Sequence, residues 1–252
     1  MNLYFKYIKV EKQGEAFSSI LVSQYEKTNM VISPYSILVT QPIDKLVIEG
    51  NGSSSITAIK AGDDYFSESG RYELHDGVFL EKQPDGKEEE IGGFLAKKLM
   101  VESDRLNLPY FIPHRVLVHS SRRATAFHHP DVLILNENAK REPRWNCSVV
   151  TNYFSISLVI EIVSTNWRDD YYSKRQDYEE MGIAEYWIVD YLGLGGKSFI
   201  GSPKQPTLSV FHLADEKEEE YEMKQFRGDD RIDSPTFPEL SLTAQQVFNA
   251  GA

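Results

Sequence analysis

The sequence predicts an α/β protein in which helices flank a central mixed β-sheet, preceded by a β-rich N-terminal extension. Two observations predict this class. After about residue 85 the hydrophobic patterns follow the order helix, strand, strand, strand, helix, strand, and the later strands are rich in β-branched residues. The chain of 252 residues, 41% of them hydrophobic, is also long enough for one sizeable domain with an extension.

The first 65 residues carry short apolar runs, such as SSILV and KLVIEG, separated by Gly, Pro, Asn and Ser. This pattern predicts short strands or a partly ordered extension over residues 1–65, followed by a main domain over residues 66–252. The main domain opens with RYELHDGVFLEK (71–82), whose alternation around Asp76 and Gly77 predicts a β-hairpin.

The remaining elements follow from changes of hydrophobic period. Asp85 is a plausible cap for a helix over about 86–102, because apolar residues recur there at helical spacing and acids fill its first turn. A second helix is predicted in SKRQDYEEMG (173–182), closed by Gly182. The predicted strands are RVLVHS (115–120), HHPDVLILN (128–136), SISLVIEIVS (155–164), EYWIVD (185–190) and SVFHLA (209–214).

The composition excludes several classes of protein. A single cysteine rules out an intramolecular disulfide and a thiolate cluster for zinc. The apolar runs fall well short of the roughly 20 residues that a membrane-spanning helix needs, and no signal peptide is apparent. The expected location is therefore the cytoplasm, without a membrane partner.

The charge distribution bears on the partner. A net charge of −11 argues against broad, non-specific binding of nucleic acid, which depends on lysine and arginine neutralising phosphates. Residues 114–175 are nevertheless net +3, so the rest of the chain is net −14. A basic middle is compatible with an anionic substrate, and a solvated surface of mixed charge is an equally good interpretation.

The stretch LVIEIV (158–163) places one carboxylate, Glu161, inside an apolar strand. Side chains alternate along a strand, so Val159, Glu161 and Val163 should share one face. An ionised carboxylate away from water needs a cation, hydrogen bonds or an opening to solvent. Glu161 is therefore either half of a structural ion pair, or an edge residue, or a functional acid.

A functional role for Glu161 requires partners, and the neighbouring segments supply them. Asp131 begins another apolar strand, and two carboxylates with a backbone carbonyl form the oxygen-rich site that magnesium prefers. Lys174, on the helix after the Glu161 strand, can point back over the strand end, with Tyr178 one turn later. His128 and His129 could line the site, although polar residues at a strand start are the commoner case. Zinc is not expected, because no third ligand stands at metal spacing.

These residues resemble the PD-(D/E)XK pattern of the restriction-endonuclease-like superfamily. Within it, the chain resembles the Uma family of bacterial endonucleases over about residues 65–250. The segments that carry the resemblance are YELHDG (72–77), PDVLIL (130–135), LVIEIVS (158–164), RDDYYSKRQDYEEMGIAEYWIVD (168–190) and FPELSLTAQQVF (237–248). The resemblance implies a restriction-endonuclease-like core for residues 66–252.

The resemblance also implies roles for individual residues. Asp131 and Glu161 match the metal-binding acids, with the backbone carbonyl of Ile162 as a third ligand for Mg²⁺ or Mn²⁺. The superfamily lysine should stand at Val163, and this family uses the following helix instead, where Lys174 lies. An acid of the first core helix often completes such a site.

The sequence does not choose among Glu88, Glu89 and Glu90 for that additional acid, and Glu73 of the hairpin competes with them. The implied function is hydrolysis of phosphodiesters by metal-activated water, with DNA as the expected substrate and a homodimer as the expected assembly. Two alternatives stay open: a non-catalytic scaffold or binding protein that retains the nuclease fold, and a hydrolase of RNA or of smaller phosphoesters.

Overall fold

A computed structural model of the chain describes the backbone of strands within residues 7–81, and then residues 85–120, 126–213 and 220–250. The chain divides into two compact units, Met1–Gln83 and Pro84–Ala252. The boundary that the sequence suggests after residue 65 falls inside the first of these units. Among the described residues, no helix combines the length and the apolar character that crossing a bilayer requires.

The described residues of the first unit form β-strands. Its strands are β1 (Tyr7–Lys12), β2 (Glu15–Ser18), β3 (Ser36–Leu38), β4 (Lys45–Glu49), β5 (Ser55–Ala61), β6 (Asp64–Ser67), β7 (Tyr72–His75) and β8 (Val78–Glu81). Five of them form an antiparallel sheet in the order β2-β1-β4-β5-β6. β8 pairs with β3 and with β7, and the pairing of His75 with Val78 forms the predicted hairpin.

The second unit contains a mixed sheet with helices on both faces. Its helices are α1 (Gly86–Leu106), α2 (Arg175–Glu180), α3 (Lys197–Ile200) and α4 (Ala244–Phe248), with a π-helical turn at Asp169–Lys174. Its strands are β9 (Tyr110–Phe111), β10 (Leu117–His119), β11 (Phe127–His128), β12 (Val132–Asn136), β13 (Val149–Val150), β14 (Ile156–Ile162), β15 (Glu185–Asp190), β16 (Thr207–His212) and β17 (Glu222–Phe226).

The central sheet has the strand order β17-β16-β15-β14-β12-β9. β14 and β15 are parallel, whereas the other neighbours run antiparallel. A small second set of strands pairs β10 with β11 and with β13. This arrangement confirms the predicted α/β class with a central mixed sheet.

The two faces of β14 bury different sets of side chains. Leu158, Ile160 and Ile162 pack with α1 and α4 on one face. Val159 and Val163 pack on the other face with side chains of the π-turn and α2. All seven residues of β14 are buried, which is what a strand between two helical layers requires. The predicted alternation of this strand is confirmed, and Glu161 lies on the α2 side.

The first core helix begins where the sequence predicts and ends one turn later. Asp85 accepts the N–H groups of Lys87 and Glu88, and Glu88 accepts the N–H of Asp85, which completes a capping box. The helix continues to Leu106 because Glu102 and Ser103 are still buried, and it closes at Asn107 in the left-handed conformation.

Packing of α1 against the sheet makes a prediction for stability. Replacing Leu95, which is fully buried, with Ala should lower the free energy of unfolding by about 2–5 kcal/mol, because a cavity is left in the core. The matched control is Val101→Ala on the same helix, since Val101 is 59% exposed and its loss should change stability by no more than about 0.5 kcal/mol. Urea unfolding followed by circular dichroism measures both. Equal effects in the two variants would contradict this packing.

Candidate functional site

Glu161 is a fully buried carboxylate at the end of the central strand β14. Its strand neighbours on the same face, Val159 and Val163, are core residues. The strand register pairs Glu161 with Ile188 of β15, another core residue. A charge in such surroundings requires close polar partners.

Two side chains of the following helix supply those partners. The Lys174 Nζ lies 3.0 Å from Glu161 Oε2, and the Tyr178 hydroxyl donates to Glu161 Oε1 over 3.1 Å. Lys174 and Tyr178 are themselves buried. The structure thus brings together three of the residues that the sequence singles out, and each carboxylate oxygen of Glu161 has its own donor.

Lys174 is shared with a second carboxylate, which sequence reasoning did not assign to the site. Asp170 Oδ1 lies 3.3 Å from the Lys174 Nζ, and its side chain is also buried. Two carboxylates around one ammonium stabilise the charged form of the lysine. The four-residue spacing between Asp170 and Lys174 was the signal that could have revealed this pair.

Tyr186 of β15 completes the surroundings. Its hydroxyl donates to the backbone carbonyl of Asp170 over 3.0 Å. Burial raises the pKa of Tyr186 well above its usual value, and the negative charges of Asp170 and Glu161 raise it further. Tyr186 therefore stays neutral and acts as a hydrogen-bond donor that ties the π-turn to the sheet.

The position of the usual lysine, Val163, is a core position in this protein. Val163 is fully buried on the same face of the sheet as Glu161, and its N–H donates to the Val189 carbonyl over 3.0 Å. Lys174 reaches this face from the π-turn that packs over it. The π-turn differs from the regular helix that the sequence predicts, and such turns often occur at functional sites.

Asp131 lies beside Glu161, where β12 begins and β14 ends. Val132 pairs with Ile160 in antiparallel register, so the preceding residue, Asp131, is adjacent to Glu161 and Ile162. Asp131 Oδ2 accepts the Ile162 N–H over 2.8 Å. Unlike Glu161, Asp131 is partly exposed. Asp131 is thus the member of this group of residues that solvent reaches.

The backbone carbonyl of Ile162 faces β12. In a strand the N–H and C=O of one residue point to the same neighbouring strand. The Ile162 N–H points to Asp131, and its carbonyl therefore faces the β12 side as well. Asp131, Glu161 and the Ile162 carbonyl thus occupy neighbouring positions on two adjacent strands.

A second buried pair links the two segments that carry the site. His128 Nε2 lies 2.6 Å from Asp177 Oδ2, with both side chains fully buried. The His128 ring packs edge-on against Tyr178, with ring centroids 5.3 Å apart. The pair joins the segment before Asp131 to the helix that carries Lys174 and Tyr178. No local pattern in the sequence indicates this pair, because its members lie 49 positions apart.

The additional acids predicted from sequence are placed as follows. Glu88 takes part in the cap of α1, and Glu73 is a buried residue of β7 in the first unit. Their contribution to the site stays a prediction. Within the part of the chain that the structure describes, no three His, Cys, Asp or Glu side chains converge as a metal-binding group. The candidate donors are the two carboxylates and the carbonyl described above.

The fold and this arrangement define a class of protein with a nuclease-like α/β core. A solved structure with the same fold is described as "a putative nuclease belonging to DUF820" from Anabaena variabilis. It superposes with a TM-score of 0.51 at 16% identity and covers 70% of this chain and 89% of that one. At this identity the similarity establishes the fold.

The family follows from the sequence itself. The model of the Uma2 family, described as "Putative restriction endonuclease", matches residues 63–245, and this protein belongs to that family. The match begins before β7 and ends within α4. It confirms the resemblance drawn from the sequence motifs. No curated protein sequence matches this chain.

Proposed function

We propose that this protein is a metal-dependent nuclease that hydrolyses phosphodiester bonds of DNA. The observation that carries the proposal is the contact of the Lys174 ammonium with Glu161, 3.0 Å away, beside Asp131 in a chain of the Uma2 family. Asp131, Glu161 and Lys174 are the proposed catalytic residues. Tyr178 is a proposed positioning residue, because it donates to Glu161.

The donor set fits a hard divalent cation. Asp131, Glu161 and the Ile162 carbonyl offer only oxygen atoms, which Mg²⁺ and Mn²⁺ prefer. Glu161 and Asp170 both lie within 3.3 Å of the Lys174 ammonium, and Asp131 contributes a further carboxylate beside them. A cation held by Asp131, Glu161 and the Ile162 carbonyl would offset the charge of these carboxylates.

Each protein group then has a definite task. A bound metal ion would supply Lewis acidity and lower the pKa of a water molecule. Lys174, kept as an ammonium by Glu161 and Asp170, serves as a fixed positive donor for the attacking water or the phosphate. The attacking water gives up a proton to solvent as its oxygen bonds to phosphorus. The bond to the leaving oxygen breaks, and that oxygen takes up a proton from solvent, so the products are a phosphomonoester and a hydroxyl group.

The substrate, assembly and location are parts of the same proposal. DNA is supported by the family description, and the locally basic segment 114–175 is compatible with a polyanion. A homodimer and a cytoplasmic location are the further expectations. Light scattering of the purified protein tests the dimer, because a mass equal to one chain of 28.8 kDa would contradict it.

Metal removal tests the activity directly. We expect the purified protein to cleave DNA with Mg²⁺ or Mn²⁺, to lose cleavage in EDTA, and to regain it when the metal is returned, because the proposed mechanism uses the metal to activate water. Single- and double-stranded DNA, RNA and a small-molecule phosphodiester are assayed in parallel. Cleavage that persists in EDTA would contradict metal dependence, and cleavage of RNA or of the small ester alone would contradict DNA as substrate.

A second candidate function is a non-catalytic binding or scaffold protein with the same fold. The complete burial of Glu161 and Lys174 favours it, since a structural ion pair has that appearance. Under this alternative the pair is replaceable, because well-packed apolar residues often substitute for a buried ion pair without loss of stability. A stable Glu161→Leu, Lys174→Met double variant of an inactive wild-type protein would support the scaffold.

A further inference from the structure

A cluster of aromatic and basic side chains lies beside the candidate site, and its purpose is not explained by packing alone. We define the aromatic patch as Trp167, Arg168, Tyr172, Lys197 and Phe199. Tyr172 is 53% exposed, although it packs edge-on against Phe199 with centroids 4.8 Å apart. Arg168 is exposed and lies over the Trp167 ring, 4.6 Å from its centroid. A core cluster would bury these groups more completely.

The strand directions put the patch at the same end of the central strands as the candidate site. β14 and β15 are parallel, so the segments that follow them leave the sheet at the same end of the strands. Trp167 and Arg168 follow β14, and Lys197 and Phe199 follow β15. Asp131 precedes β12, which runs antiparallel to β14, and it therefore lies at that end of the strands too.

The patch and Lys174 share the π-turn. Tyr172 belongs to the π-turn Asp169–Lys174, whose inner residues are buried against the sheet. Tyr171, in the same turn, is fully buried and packs against both Trp167 and Phe199, at centroid distances of 6.2 and 4.8 Å. The exposed Tyr172 ring and the partly buried rings of Trp167 and Phe199 thus surround the buried Tyr171, and Tyr172 lies two residues from the proposed catalytic lysine.

The charges of this surface are opposite in sign to those of the whole protein. In the segments 163–172 and 193–204 the exposed charged side chains are Arg168, Lys197 and Lys204, whereas Asp169 is only partly exposed and Asp170 is buried. The chain as a whole carries −11. Local positive charge beside exposed rings matches a ligand with both phosphates and aromatic bases.

We infer that the aromatic patch binds an unpaired stretch of DNA, with a base stacked on Tyr172 and the backbone near Arg168 and Lys197. Unpaired bases are required because a duplex hides the base faces that a ring can stack on. The choice of DNA rests on the proposed function, whereas the stacking itself follows from the exposed Tyr172 ring. The patch would thereby hold a strand whose phosphodiester reaches the site at Asp131.

Binding in EDTA tests the inference without requiring cleavage. The probe is a fluorescein-labelled single-stranded DNA of mixed sequence, titrated with protein and followed by fluorescence anisotropy. Tyr172→Ala should raise the Kd about 5- to 100-fold, because one stacked base is lost. Tyr172→Phe keeps the ring and should stay within about twofold of wild type. The matched control is Phe154→Ala, since Phe154 is 59% exposed and lies before β14 at the opposite end of the strand.

Several results would overturn the inference. These are an unchanged Kd for Tyr172→Ala, an equal loss for Phe154→Ala, no binding by the wild type, and equal affinity for duplex DNA or for RNA of the same sequence. A dimer that dissociates on Tyr172→Ala would assign the patch to a second copy of the chain instead. Strand binding without cleavage in Mg²⁺ or Mn²⁺ would refute the nuclease and support the patch. Cleavage that is unaffected by Tyr172→Ala, with unchanged binding, would refute strand binding at the patch and support the nuclease.

Discussion

Glu161→Gln should lower kcat/KM for DNA cleavage by about 10³-fold while the protein remains folded, because the substitution removes a metal-binding charge at the reacting centre. Gln has nearly the same shape as Glu, and its carbonyl oxygen can still accept the Tyr178 hydroxyl that bonds to Glu161 Oε1. The effect should therefore lie in chemistry and metal binding rather than in folding. Cleavage rates and Mn²⁺ binding, followed by electron paramagnetic resonance, measure the two.

The control for this substitution is Glu222→Gln, because the Glu222 side chain is 60% exposed and lies on the edge strand β17, three strands away from β14. It should retain wild-type cleavage and wild-type Mn²⁺ binding. If Glu161→Gln cleaves DNA as fast as Glu222→Gln, then the activity belongs to another site or to a contaminant. If Mn²⁺ binding is unchanged in Glu161→Gln, Glu161 is not a metal ligand.

Lys174→Met should both abolish cleavage and lower the free energy of unfolding by about 3–5 kcal/mol, since it leaves the buried Glu161 and Asp170 without their shared cation. Met fills a volume similar to that of the lysine stem, so the loss is mainly electrostatic. Urea unfolding measures the stability, and the DNA cleavage assay measures the activity.

A matched lysine is available on the surface. Lys140 also contacts a carboxylate, that of Glu137 at 2.7 Å, but both side chains are more than half exposed. Lys140→Met should change stability by no more than about 0.5 kcal/mol, because exposed ion pairs contribute little. Similar stability losses in the two variants would show that Lys174 does not neutralise a buried charge.

Much of the main fold could be predicted from residue order because hydrophobic period encodes it directly. EYWIVD is a strand with the bounds that its pattern predicts, and Asp85 caps α1. The burial of Trp187, in the centre of its strand, follows from the same pattern. The strand SVFHLA begins two residues earlier than predicted, at Thr207, since Thr207 and Leu208 still pair with β15.

The partners inside the site were less predictable. The four-residue step from Lys174 to Tyr178 is visible in the sequence, and the fold carries both side chains to Glu161. The contact between His128 and Asp177 joins residues 49 positions apart, and no local pattern encodes such a contact. Long-range pairs of this kind depend on how the helix lies on the sheet.

The residue order is sufficient to place an acid on the inner face of β14, a second acid before β12 and a lysine on the next helix. It cannot show that Val163 is a core residue while Lys174 covers the same face, because that depends on the π-turn. A π-turn differs from an α-helix by hydrogen bonds one residue longer, and packing on the sheet selects between them. The sharing of Lys174 between Glu161 and Asp170 follows from that packing, since burial removes the water that would otherwise solvate each charge.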